Sequence, residues 1–138
     1  MSRATRVMAG LILISIPTIA FGGYFLLTSL IDKSSGYAAN PLRQDFFRAG
    51  HAHAGVITIL SLIGQILVDA AALSPALQWL TRLGIPLAGI LLSAGFFTSM
   101  LPPAAVTPGP AVALIYAGAA LLVASVLTLG IGLLRSRP

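Results

Sequence analysis

Residues 45–55 read DFFRAGHAHAG and carry the only two histidines of the chain, His51 and His53. Imidazole binds metal ions, ligates haem iron and exchanges protons near neutral pH. With no cysteine in the sequence, thiolate metal sites, iron–sulfur clusters and covalent haem attachment are excluded. A haem here would be of the b type, held non-covalently. Arg48, and Arg43 before it, could pair its propionates, and Met100 is a conceivable second axial ligand. The plainer alternative is that both histidines are polar residues at a membrane surface, with Phe46, Phe47 and Arg48 as an interfacial anchor.

Spacing limits these options. In an α-helix, positions two apart lie about 200° around the axis. His51 and His53 therefore chelate one metal ion only if the backbone there is extended or the helix begins after them. Further along, His51, Gly55, Thr58, Leu62, Gln65 and Asp69 recur at four-then-three spacing and share one helix face. Ser61 lies beside them. From His51 to Asp69 is about 27 Å along a helix, close to the thickness of a bilayer core. A polar stripe of this kind is either an interhelical seam, with Gln65 as a hydrogen-bond clamp, or a proton or ion path ending at Asp69. Asp69 and Arg82 flank a short connection, and a salt bridge across it is expected.

The elements that position these residues follow from composition. Of 138 residues, 57% are hydrophobic and 8% charged, and the mean hydropathy is +0.98. A soluble domain carries roughly a quarter charged residues. Four apolar runs are long enough to cross a bilayer: about 7–31, 47–72, 77–101 and 111–134. They predict an all-α, integral membrane four-helix up-and-down bundle in one domain, with the lipid bilayer as its surroundings. Pro17 should kink the first helix. The 14 glycines suit close helix packing, which in lipid replaces hydrophobic burial as the force between helices. The net charge of +5 comes from basic residues at span ends and lacks the clustering a nucleic-acid surface needs, so no nucleic-acid partner is expected. Arg3, Arg6, Arg82, Arg135 and Arg137 fall on one side. Lys33, Arg43 and Arg48 fall on the other, offset by Asp32 and Asp45. Both termini should thus face the cytoplasm, in an inner or plasma membrane, with the histidines near the outer face.

GHAHAG at the start of a membrane helix resembles the HAH segment on a haem-ligating helix of the haem-copper oxidase and nitric oxide reductase superfamily. The resemblance covers about six residues and implies an axial haem-ligand role for His51 or His53. The later histidine cluster for copper and the partner histidine of that superfamily have no counterpart here. The chain offers no nucleophile–base set, paired carboxylates or phosphate loop, and enzymatic activity is not expected. Three roles remain. One is an accessory subunit of a larger membrane complex, redox or otherwise, with a haem or metal site at its outer face. The others are a stand-alone haem- or metal-binding electron-transfer or sensor protein, and a small oligomeric proton or ion transporter. Other subunits or further copies of the chain are the expected protein partners.

Overall fold

A computed structural model describes residues 1–136. Arg137, counted above among the basic residues, lies outside the described residues. Four helices follow one another along the chain: α1 (Arg3–Ile31), α2 (Pro41–Val68), α3 (Pro75–Ser99) and α4 (Val112–Arg135). All four are long and apolar enough to span a membrane. The protein is a multi-pass membrane protein built as a helical bundle, and the described residues contain no strand.

The helix starts carry local signals. Ser2 caps α1, its hydroxyl accepting from the Thr5 amide at 3.1 Å. Asn40 caps α2, accepting from the Arg43 amide at 3.0 Å, and Pro41 opens the first turn, where its missing N–H costs nothing. Because of this cap α2 begins at Pro41 and not near residue 47. The last five residues of the polar stretch DKSSGYAANPLRQD are therefore helical. The helix also ends at Val68, short of residue 72, because the turn over residues 69–74 is tied to α4. There the Ala72 amide donates to the Gly132 carbonyl at 3.0 Å, and the Ser136 hydroxyl donates to the Ala70 carbonyl at 2.7 Å. Two short 3-10 turns, Lys33–Ser35 and Tyr37–Ala39, join α1 to α2. Gly36 between them has φ +66°, a conformation that favours glycine.

Helices α2, α3 and α4 pack around one core that includes Ile57, Val68, Ile85, Leu92 and Leu129. Small residues allow the closest approaches. A Cβ on Gly118 would stand 2.9 Å from the Leu92 nitrogen, and one on Gly95 would stand 2.8 Å from the Ile115 nitrogen. Ser125 sits directly against Gly84. In contrast, α1 lies along α2 and makes no comparable backbone approach to α3 or α4. Most of its apolar side chains, among them Leu11, Ile14 and Phe21, face outward, as lipid permits. A cleft consequently opens between α1 and α3, with α2 as its floor.

Candidate functional site: a histidine-lined cavity within the membrane span

A cavity of about 340 Å³ occupies that cleft. It lies at mid-length of the three helices, against Ser15 and Thr18 of α1, Thr58 and Ser61 of α2, and Pro86 and Ser93 of α3. His51 closes one end. Its ring rests on the bare backbone of α1: a Cβ on Gly22 would stand 3.3 Å from Nδ1, and one on Gly23 3.3 Å from Nε2. The glycine pair in AFGGYF thus makes the room for the imidazole. Gly22 is nine residues from the end of α1 at Ile31, about 13 Å. In a helix roughly 43 Å long, that level falls inside the hydrocarbon core and below the surface.

The hydrogen-bonding state of the lining is uneven. Ser15 donates to the Ile12 carbonyl at 2.7 Å, Thr18 to the Ser15 carbonyl at 2.6 Å and Ser61 to the Ile57 carbonyl at 2.7 Å. By contrast, the Ser93 hydroxyl is buried, without accessible surface, and has no partner among the described residues. Neither the Thr58 hydroxyl nor either ring nitrogen of His51 is hydrogen-bonded among the described residues. No charged side chain lines the cavity.

His53 points elsewhere. Its Nδ1 is 2.7 Å from the Ala49 carbonyl, and its ring stacks on Phe96 of α3 at 5.1 Å between centroids. Nδ1 therefore carries a proton, because the carbonyl can only accept, and in the neutral ring the lone pair is on Nε2. Both histidines sit in regular helix, ten or more residues past the start of α2. The irregular start that a shared chelate requires is absent, and one ring turns to α1 while the other turns to α3. Among the described residues no cluster of three or more His, Asp or Glu could hold a metal ion.

The other expected site residues are placed as follows. Arg43 is buried and donates to the Met100 carbonyl at 3.0 Å and the Leu101 carbonyl at 3.2 Å. It serves as a side-chain cap for the end of α3. Its guanidinium also lies 4.8 Å from the centre of the Phe47 ring, a cation–π contact. Arg43 is thus engaged within the protein and not free for propionates. Phe47, expected at the interface, is 1% exposed and packs with Tyr37, Leu26 and Met100. Met100 is fully buried there, so its thioether is a packing group. Arg48 is exposed and pairs with Asp45 at 3.3 Å and with Gln44.

The polar stripe divides in two. Thr58 belongs to the cavity. Gln65 and Asp69 belong to a network at the end of the bundle that holds the N-terminus of α1 and the C-terminus of α4. Arg82, 3% exposed, donates to the Asp69 carboxylate at 2.6 Å, the Thr5 hydroxyl at 2.8 Å and the Gln65 side-chain oxygen at 3.2 Å. The salt bridge across the α2–α3 turn is present as expected. Gln65 is the expected clamp, for a reason that involves Pro86. Proline has no N–H to give to the carbonyl four residues back, which is that of Arg82, and Gln65 Nε2 donates to this carbonyl at 2.8 Å. The Ser2 amide donates to the other Asp69 oxygen at 2.8 Å. That bond, with help from the Ser2 hydroxyl, Arg82 and Thr5, holds the Asp69 carboxyl well below the usual carboxylate range.

Ser93, Ser15, Thr18 and Pro86 were not singled out from sequence. The available signal was hydroxyl residues at mid-span on three helices, which hydropathy alone ignores. Comparison with family models, curated proteins and solved structures returned no match to this chain.

Proposed function

We propose that this chain is a non-enzymatic membrane protein that holds a small molecule within the bilayer, as an accessory component of a larger membrane assembly. One observation carries this: three helices line a cavity at membrane depth whose accessible polar groups, His51 and Thr58, lack protein partners among the described residues. Unpaired polar groups in a low-dielectric interior are costly. A ligand that hydrogen-bonds to them recovers that cost, which the bundle's own packing does not. The remaining polar residues that could serve transport, Gln65 and Asp69, already spend their capacity on Arg82 and Ser2.

A second reading rests on His53. A ring whose Nδ1–H is fixed by a backbone carbonyl and whose Nε2 is free has the orientation typical of metal- and haem-ligating histidines. Such a site would be completed by a residue from a partner subunit or a second copy, in keeping with the HAH resemblance. The His51 cavity, about 340 Å³, is at the small end of the range that takes drug-sized molecules.

Protein purified in mild detergent, examined by native mass spectrometry, metal analysis and absorption spectroscopy, tests both. A bound small molecule that is lost in His51→Leu supports the cavity. A Soret band lost in His53→Ala supports the haem reading. Protein that carries neither overturns both. The accessory role predicts a stoichiometric membrane partner on purification; a chain that purifies alone overturns it. For the membrane, we place the Asp69 end, with both termini, in the cytoplasm of a cell inner or plasma membrane, on the distribution of basic residues.

A further inference from the structure

Resting on the cavity as a ligand site, we infer that its ligand is an uncharged, membrane-dissolved ring compound bearing carbonyl oxygens, a quinone in type, which enters sideways from the lipid between α1 and α3. Charge is argued by the lining. It contains hydroxyls and one imidazole but no charged side chain, and an ion at this depth would be costly without a counter-charge. Depth argues against an ordinary lipid. A lipid anchored by a headgroup at the interface would leave only acyl chain opposite Thr58, and its hydroxyl would stay unpaired. Only a molecule dissolved in the hydrocarbon brings its polar atoms to mid-span. Donor geometry argues for carbonyls. Thr58 and His51 lie seven residues apart on one face of α2, about 10 Å along the helix, and both line the cavity, so acceptor oxygens on opposite sides of a single ring meet the two groups. Lateral entry follows from the cleft. Ser15 and Thr18 are exposed, and Ile90 is 64% exposed, so the mouth opens to lipid and not to either aqueous face. A volume of about 340 Å³ accommodates a single substituted ring, with any tail left in the bilayer.

The test uses the full chain in lipid nanodiscs and two photoreactive probes, an azido-benzoquinone with a short alkyl chain and a diazirine-bearing diacylglycerol. The quinone probe is expected to label peptides spanning His51–Ser61 and Pro86–Phe97, with decylubiquinone as an effective competitor. Thr58→Val, which preserves shape, should weaken competition roughly three- to tenfold, the value of one hydrogen bond. Ala54→Leu, which fills the cavity, should abolish labelling while leaving the far end of the bundle folded, as judged by circular dichroism and thermal unfolding. Labelling of the cavity by diacylglycerol with no competition from the quinone overturns the ligand class. So does a co-purified molecule that is lost in Ala54→Leu but not displaced by quinone; in both cases the cavity remains a ligand site. If neither probe labels the cavity and wild type carries no molecule that Ala54→Leu loses, the site itself is disproved.

Discussion

Gln65 shows how a single side chain can repair a backbone defect. Pro86 leaves the Arg82 carbonyl without its helical donor, and in lipid no water can replace it. Gln65→Leu should therefore lower stability by about 1–3 kcal/mol, the range for an orphaned buried polar group, measured by thermal unfolding in detergent. Pro86→Ala restores an N–H for that carbonyl, so the same Gln65→Leu change should cost less in the Pro86→Ala background. Equal costs in both would show that the amide acts only on the Arg82 guanidinium. Asp69 supplies a pH-dependent term at this site. Its carboxyl is held low by the Ser2 amide first and Arg82 among the lesser causes, so the ionised form favours the fold. That contribution is complete above about pH 4, the ordinary aspartate range, and is lost as pH falls below it towards the lowered value. Asp69→Asn should flatten the acid limb of a stability–pH profile below about pH 4 and leave the shape above it unchanged.

Between elements, glycine acts as a spacer. The α3–α4 contact depends on Gly118, where an added methyl would press on the Leu92 nitrogen at 2.9 Å and the Ala88 carbonyl at 3.1 Å. Backbone cannot yield as a flexible side chain can, so Gly118→Ala should destabilise by roughly 1–3 kcal/mol. On the same helix, Gly130 has open space where its Cβ would be, and Gly130→Ala should be neutral or slightly stabilising because alanine favours the helix. Unfolding measurements on the pair separate packing from propensity, since propensity alone predicts stabilisation by both. On α1, the glycine pair at 22–23 has another use: it seats His51. That distinction was not legible in the sequence, where both were simply small residues in apolar runs.

At the scale of the molecule, α1 stands apart from a three-helix core. It is joined to the rest along α2, by the Ser2–Thr5 end in the Arg82 network and by Leu26 against the Tyr37–Phe47 cluster at the other end. The space this leaves between α1 and α3 is the cavity. The orientation of the whole bundle can be read chemically, because the chain has no cysteine of its own. A single cysteine at Val106, which is 82% exposed, should react with a membrane-impermeant maleimide in intact cells. One at Ala72, in the opposite turn, should react only after permeabilisation. The reverse pattern would invert the orientation drawn from Arg3, Arg6 and Arg135.

The four spans were legible because bilayer crossing depends on local quantities, the length and polarity of each run, and no tertiary contact is needed to compute them. The divergence of His51 and His53 was legible for a similar reason, since it is a property of one helix. So was the Asp69–Arg82 pair, which a short hairpin forces together. The start of α2 at Pro41 was missed although its Asn-Pro cap is local, because polarity suggested a loop. What only the tertiary structure decided is which polar groups find partners. Arg43 and Met100 looked available as ligands until the packing of α3 on α2 buried both. Gln65 and Thr58 share a helix face, yet one meets the Arg82 carbonyl and the other an open cleft. Hydrogen-bond satisfaction is a property of neighbours distant in sequence, and so the candidate site emerged only once α1, α2 and α3 were set side by side.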